Sequence, residues 1–140
     1  MKSVCSLAFA GLLAAVVPAA AQDKPFSMAG TWLNKGESVS IGESHHPEHH
    51  VRESEPKVVQ TSLRFVIDTH VGTSFWGTAT GASGAPERIV GATNGKRGSA
   101  VNARGGIYQF VVVDANTLET CYAVRTEKHL AASCTTWTRQ

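Results

Sequence analysis

Gly105-Gly106-Ile107-Tyr108-Gln109-Phe110-Val111-Val112-Val113-Asp114-Ala115-Asn116 decides the fold class of this chain. Tyr108, Phe110 and Val112 alternate with Ile107, Gln109, Val111 and Val113. A period of two means that successive side chains leave opposite faces of an extended strand. Gly105-Gly106 and Asp114-Ala115-Asn116 bound the run with residues that favour reversal of the chain.

The same rhythm recurs on both sides. Leu63, Phe65 and Ile67 alternate with Arg64, Val66 and Asp68, and Ile89-Val90 sits in another short run. Gly72, the Gly81-Ala82-Ser83-Gly84 segment and Asn94-Gly95 supply further turns, the last being the pair that a two-residue hairpin with positive φ at both central positions prefers. After the first residues no stretch holds a helical period for three turns. The spacing predicts eight strands: 29 to 41 with a bend, 58 to 70, 74 to 80, 87 to 93, 98 to 103, 106 to 113, 117 to 125 and 131 to 139. Eight short-looped strands in succession fit an all-β, eight-stranded, up-and-down antiparallel β-barrel, whose closure removes the exposed edges of an open sheet. A β-sandwich is the alternative.

The beginning of the chain follows another logic. Lys2, an apolar run from Leu7 to Val17, Pro18 and Ala19-Ala20-Ala21 form the pattern of a secretory signal, and the run is too short to span a bilayer. Residues 1–21 are therefore read as a signal peptide cleaved after Ala21, taking Cys5 with it, and residues 22–140 as a single barrel domain. Cys121 and Cys134 then reach an oxidising compartment, periplasmic or secreted, where a disulfide between them is expected. The net charge is only +2, with both signs interspersed, which does not suggest nucleic acid as a partner. No second apolar run offers a membrane span.

One segment breaks the rhythm. Gly42 to Pro56 is polar and acidic with two prolines, and is read as a long loop with a short helical turn started by Pro47. It carries His45, His46, His49 and His50 beside Glu43, Glu48 and Glu53. Imidazoles at such spacing are ligands for zinc, copper or nickel, so the loop is a candidate for metal sequestration. A solvated loop and a pH-responsive loop are the competing readings.

Gly30-Thr31-Trp32 near one end and Thr138-Arg139 near the other resemble the calycin barrels, the lipocalin and avidin superfamily. That resemblance implies that the first and last strands are neighbours and that Arg139 lies across the Trp32 ring. It also implies that the long first loop covers one barrel mouth. Ala29-Gly30-Thr31-Trp32-Leu33-Asn34 with Gly36 and Ser38 is similar to the first strand of the biotin-binding avidins, in which Asn34 and Ser38 would be ligand residues. The Trp-bearing motifs of the avidin middle strands are missing here. Over most of its length the chain resembles a group of small exported bacterial proteins of unassigned function, through Glu37-Ser38-Val39, His45-His46-Pro47, Phe75-Trp76-Gly77, Ile89-Val90-Gly91 and Asp114 to Tyr122. That group lends no activity.

Catalytic signatures are weak. Gly91 to Lys96 is one residue short of a phosphate loop, with Arg97 where a hydroxyl residue belongs, and Ser83 lacks the flanks of a nucleophile elbow. Asp68 and His70, two apart on one strand face, are the candidates for a hydrolase or isomerase. The leading expectation is an exported non-catalytic binding protein that needs no cofactor. Its partner is either a small apolar molecule in a barrel mouth lined by Trp32, Phe65, Phe75, Trp76, Tyr108 and Phe110, or an envelope or protein partner on loops. Lys96, Arg97 and Arg104 offer a small basic patch for an anionic surface. In a small barrel the same aromatic residues more often simply fill the interior.

Overall fold

The computed structural model describes residues 25–43, 55–82 and 84–140. Residues 1–21, expected as a leader cleaved after Ala21, lie outside the described residues, as do Ser83 and the His45, His46, His49 and His50 cluster.

Eight strands follow one another: β1 (Gly30–Gly42), β2 (Lys57–Val71), β3 (Ser74–Thr80), β4 (Pro86–Thr93), β5 (Arg97–Asn102), β6 (Ile107–Asp114), β7 (Thr117–Arg125) and β8 (His129–Arg139). Each pairs antiparallel with the next, and β8 returns to β1 through Trp32↔Arg139 and Asn34↔Trp137. The sheet is thus a closed up-and-down barrel rather than a sandwich, and every strand has two neighbours. Strand ends agree with the alternation to within one or two residues, β8 starting earlier at His129. Among the described residues there is no helix.

Alternation sorts the side chains into wall and interior. Even positions of β1 and odd positions of β2 face inward, from Trp32 opposite Phe65 to Asn34 opposite Leu63. At the end where the chain enters and leaves, the interior is packed with Met28, Trp32, Phe65, Ile67, Phe75, Ile89, Phe110, Leu118 and Trp137. Phe65 stacks on Trp137 at 3.7 Å between centroids, and Tyr108 meets both edge-on at 5.5 Å. Each such ring contributes about 1.5–3 kcal/mol by leaving water. Glycine makes room for two of them. A Cβ at Gly91 would lie 2.3 Å from Phe75 Cζ, and one at Gly98 would lie 2.4 Å from Phe110 Cζ.

Residues 25–29 plug this end. Trp32 Nε1 donates to Met28 O at 2.8 Å, and the Arg139 guanidinium lies 4.2 Å from the Trp32 ring centroid while donating to the carbonyls of Ser27 and Ala29. Gly30, with φ 129°, turns the chain into β1 where any Cβ would meet Arg139. Burial lowers the Arg139 pKa below its ordinary value, since desolvation disfavours the cation.

Two expectations need correction. Trp76 is not a pocket residue: consecutive Phe75 and Trp76 must face opposite ways, and register with β4 turns Phe75 inward and leaves Trp76 44% exposed. It heads an outer row with Val90, Val101 and Ile107, each the cross-strand partner of the next. The turn at Asn94-Gly95 is also not a two-residue reversal, because only Gly95 has positive φ, at 83°. Three residues link β4 to β5. Side chains hold them: Asn94 Oδ1 accepts from the backbone N–H of Lys96 and Arg97, and Thr93 Oγ1 accepts from Gly95.

Candidate chamber at the far end of the barrel

Odd-numbered strands run away from the plugged end, so the ends of β1, β3, β5 and β7 and the starts of β2, β4, β6 and β8 gather at the other. Here the inward positions change character. Asn34, Ser38, Thr61, Glu87, Tyr108, Tyr122, His129 and Ser133 surround a chamber with Leu63, Ala79 and Ala131, leaving a cavity of ≈ 40 Å³. That volume has room for about three waters or a group of similar size. The chamber arises because inward positions at the chamber-end halves of the strands carry small polar residues where the plugged end carries rings.

The chamber wall is hydrogen-bonded at several points. Ser38 Oγ donates to Ala132 O at 3.2 Å, and Ser40 Oγ lies 3.0 Å from His129 Nε2. Glu87, 5% exposed, takes Arg104 Nε at 3.3 Å from the loop between β5 and β6. Asn102 Oδ1 fixes that loop by accepting from Arg104 N and from Gly106 N at 2.7 Å. Asn34 differs. It is 3% exposed, and its Oδ1 has no hydrogen-bond partner.

The two tyrosines, the whole tyrosine content of the chain, lie together here with ring centroids 4.6 Å apart. Burial, then the carboxylate of Glu87, pushes the Tyr122 phenol up to about 12 against the effect of Asn102. Burial raises Tyr108 as well, helped by Tyr122 and Glu87. Both are therefore neutral hydroxyls at physiological pH. The sign for stability follows from linkage: the unfolded phenol ionises near its ordinary value of 10.0 while the folded one resists. The tyrosine contribution is fully present below pH 10 and is lost as pH rises toward 12. Absorbance at 295 nm will show little phenolate at pH 10.5 in the folded protein, then a rise of both tyrosines coinciding with loss of the β-sheet circular dichroism signal.

The chain matches no family model, no curated protein and no solved structure. What the chamber can do rests on its own chemistry.

Of the residues expected to line a pocket, Tyr108 is the one that borders the chamber; Trp32, Phe65, Phe75 and Phe110 belong to the packed core of the plugged half, and Phe110 also borders an open depression between β4 and β8. Asn34 and Ser38, named through the avidin-like first strand, do face the chamber. Glu87, Tyr122 and His129 were not among the expected site residues. Parity with Ile89 places Glu87 inward, but a carboxylate in an apolar run reads as a surface residue until the register is known.

Asp68 and His70 are not a couple. Register shifts between Ile67 and Thr69, so a bulge inserts one residue and reverses the parity. Asp68 is exposed, while His70 sits opposite buried Phe75 and accepts the Met28 N–H at Nδ1, 3.2 Å away. It pins the plug instead. Among the described residues no three His, Cys, Asp or Glu gather as a metal site, and no helix is long and apolar enough to cross a membrane. Cys121 and Cys134 are cross-strand partners on β7 and β8 and form a disulfide on the outer wall, with Cα atoms 4.0 Å apart. Beside it lies a broad, open depression of ≈ 1000 Å³ bordered by Arg97, Gln109, Glu119 and Thr136. The chamber, with its buried polar wall, is the better candidate for small-molecule recognition.

Proposed function

We propose that this is an exported, non-catalytic binding protein that holds a small polar molecule in the chamber at the loop end of the barrel. The observation that carries the reading is Asn34 Oδ1: an interior acceptor, desolvated and unpaired, costs about 1–3 kcal/mol unless something donates to it. The surrounding Ser38, Thr61, Tyr108 and Tyr122 hydroxyls supply further donors and acceptors around the same small space. The ring-filled half supports a polar ligand over the apolar one that the aromatic content first suggests. Export is supported by the leader pattern and by a disulfide suited to an oxidising compartment.

Asn34→Leu separates the reading from a structural role. A ligand-binding Asn34 gives a variant that has lost its ligand yet unfolds at the same or higher denaturant concentration, by up to about 1 kcal/mol, because an unpaired polar group has been removed. A variant that unfolds earlier by about 2 kcal/mol marks Asn34 as part of the scaffold, and the proposal fails.

A further inference from the structure

Beneath the chamber the seam between β1 and β8 loosens. Register pairs run through Asn34↔Trp137 and resume at Val39↔Ala132, with none between. Gly36 lies in this gap, and a Cβ there would approach Thr135 Cγ2 to 2.6 Å, so the missing side chain gives Thr135 its place.

Four buried polar atoms around this gap have no hydrogen-bond partner: Asn34 Oδ1, Thr120 Oγ1, Thr135 Oγ1 and Trp137 Nε1. Register makes them one cluster. Asn34 is opposite Trp137, Thr135 is two positions before Trp137 on the same face of β8, and Thr120 is opposite Thr135 on β7. Asn34, Thr120 and Trp137 are each at most 3% exposed. Native interiors leave few such atoms unpaired, and an adjacent set on one wall calls for an occupant.

The chemistry of the occupant follows from the wall. Trp137 Nε1–H can only donate, Asn34 Oδ1 can only accept, and the two threonine hydroxyls do either. The occupant must both accept and donate. No charged side chain belongs to the cluster, and the charge of the nearby Glu87 is met by Arg104, so an ionic head would enter uncompensated. Of the four residues, Asn34 lines the ≈ 40 Å³ cavity, a space for only a few heavy atoms, while Thr120 and Thr135 line the open depression beside the disulfide. We infer that Asn34, Thr120, Thr135 and Trp137 form a deep subsite that holds the hydroxyl group of a small neutral alcohol or polyol. This rests on the chamber being a ligand site. Ordered water offers the same chemistry from another source.

The indole N–H of Trp137 is the reporter, followed by proton–nitrogen NMR on the mature, disulfide-bonded protein with ethylene glycol as the probe. Trp32 Nε1, bonded to Met28 O, and exposed Trp76 serve as internal controls. Ethylene glycol will shift the Trp137 indole signal saturably and leave the other two in place. Thr120→Val and Thr135→Val, which exchange a hydroxyl for a methyl of similar shape, will each weaken the glycol about tenfold, the loss of one hydrogen bond, with melting temperatures unchanged within about 3 °C. A Trp137 N–H with a cross-peak to long-lived water that glycol cannot displace makes this a hydration site and overturns the inference. Equal glycol affinity in both valine variants overturns it too. Glycol-induced shifts at Tyr122 and Asn34 with a silent Trp137 would defeat the subsite and leave the chamber reading intact; silence at all of them defeats both.

Discussion

Trp137→Ala will destabilise the barrel by about 4 kcal/mol, the largest loss expected from any single substitution discussed. The ring is 1% exposed, stacked on Phe65 at 3.7 Å and met edge-on by Tyr108. Its removal loses the transfer energy of a large aromatic and leaves a cavity that the rigid barrel cannot collapse around, a combination that costs about 3–5 kcal/mol in well-packed cores. The aromatic pair interactions with Phe65 and Tyr108 add about 0.5–1.5 kcal/mol each. The unpaired indole N–H works in the other direction, because losing a desolvated donor without a protein partner returns about 1 kcal/mol. Urea unfolding of wild type and variant, compared at equal slope, measures the difference. Trp137→Phe keeps most of the stacking and discards the N–H, so it should lose less than half as much. Equal losses in the two variants would mean that the N–H has a structural partner after all.

The second large effect concerns the outer wall. Cys121→Ser with Cys134→Ser will cost about 3 kcal/mol. The bridge closes a short loop, of sequence separation 13, and so removes conformational freedom mainly from the unfolded chain. Both residues are already cross-strand partners in the ladder between β7 and β8, and nearly every position from Thr117↔Thr138 to Arg125↔Leu130 stays paired without them. The serine variant is therefore expected to keep its circular dichroism spectrum and to melt earlier by roughly 10–20 °C, given the size of the domain. Reduction of the wild type with dithiothreitol should reproduce the shift, and the variant should not respond to the reductant. A wild-type melting temperature unmoved by reductant would show that the bridge does not constrain the unfolded chain.

How much of this was legible in the sequence varies residue by residue. The alternation around Tyr108 and Phe110 and the reversals after Asp114 carry the strand count, because a half-buried strand has to repeat every two residues. Closure was legible only through the two ends of the chain, where Trp32 and Arg139 meet as the calycin-like motif implies. What alternation could not convey was phase. Phe75 and Trp76 are adjacent and equally apolar, and only pairing with Gly91 and Val90 on β4 decides which faces inward. The bulge at Asp68 is likewise silent, since an inserted residue changes the face of everything after it without changing composition. The chamber was hidden for a third reason. Asn34, Ser38, Glu87 and Tyr122 come from three separate strands, β1, β4 and β7, and three of those four residue types usually mark a wetted surface. The first two surfaced through the resemblance of their strand, the other two only through the register.

The physical organisation that results is a barrel of two halves. Rings, glycine clearances and the strap held by His70 and Arg139 make the plugged half a rigid support. The other half trades apolar burial for hydroxyls, an amide and a carboxylate, a loss of stability that selection for folding alone would not favour. Binding sites carry that cost because the ligand completes the hydrogen bonds.

Native mass spectrometry of the protein purified without affinity tag or chelator tests the chamber most directly when wild type and Asn34→Leu are compared side by side. The account predicts a wild-type species heavier than the disulfide-bonded chain by one small organic mass, and a variant at the bare mass. A wild-type protein at the bare mass, or an adduct that survives Asn34→Leu unchanged, would contradict the chamber as the binding site.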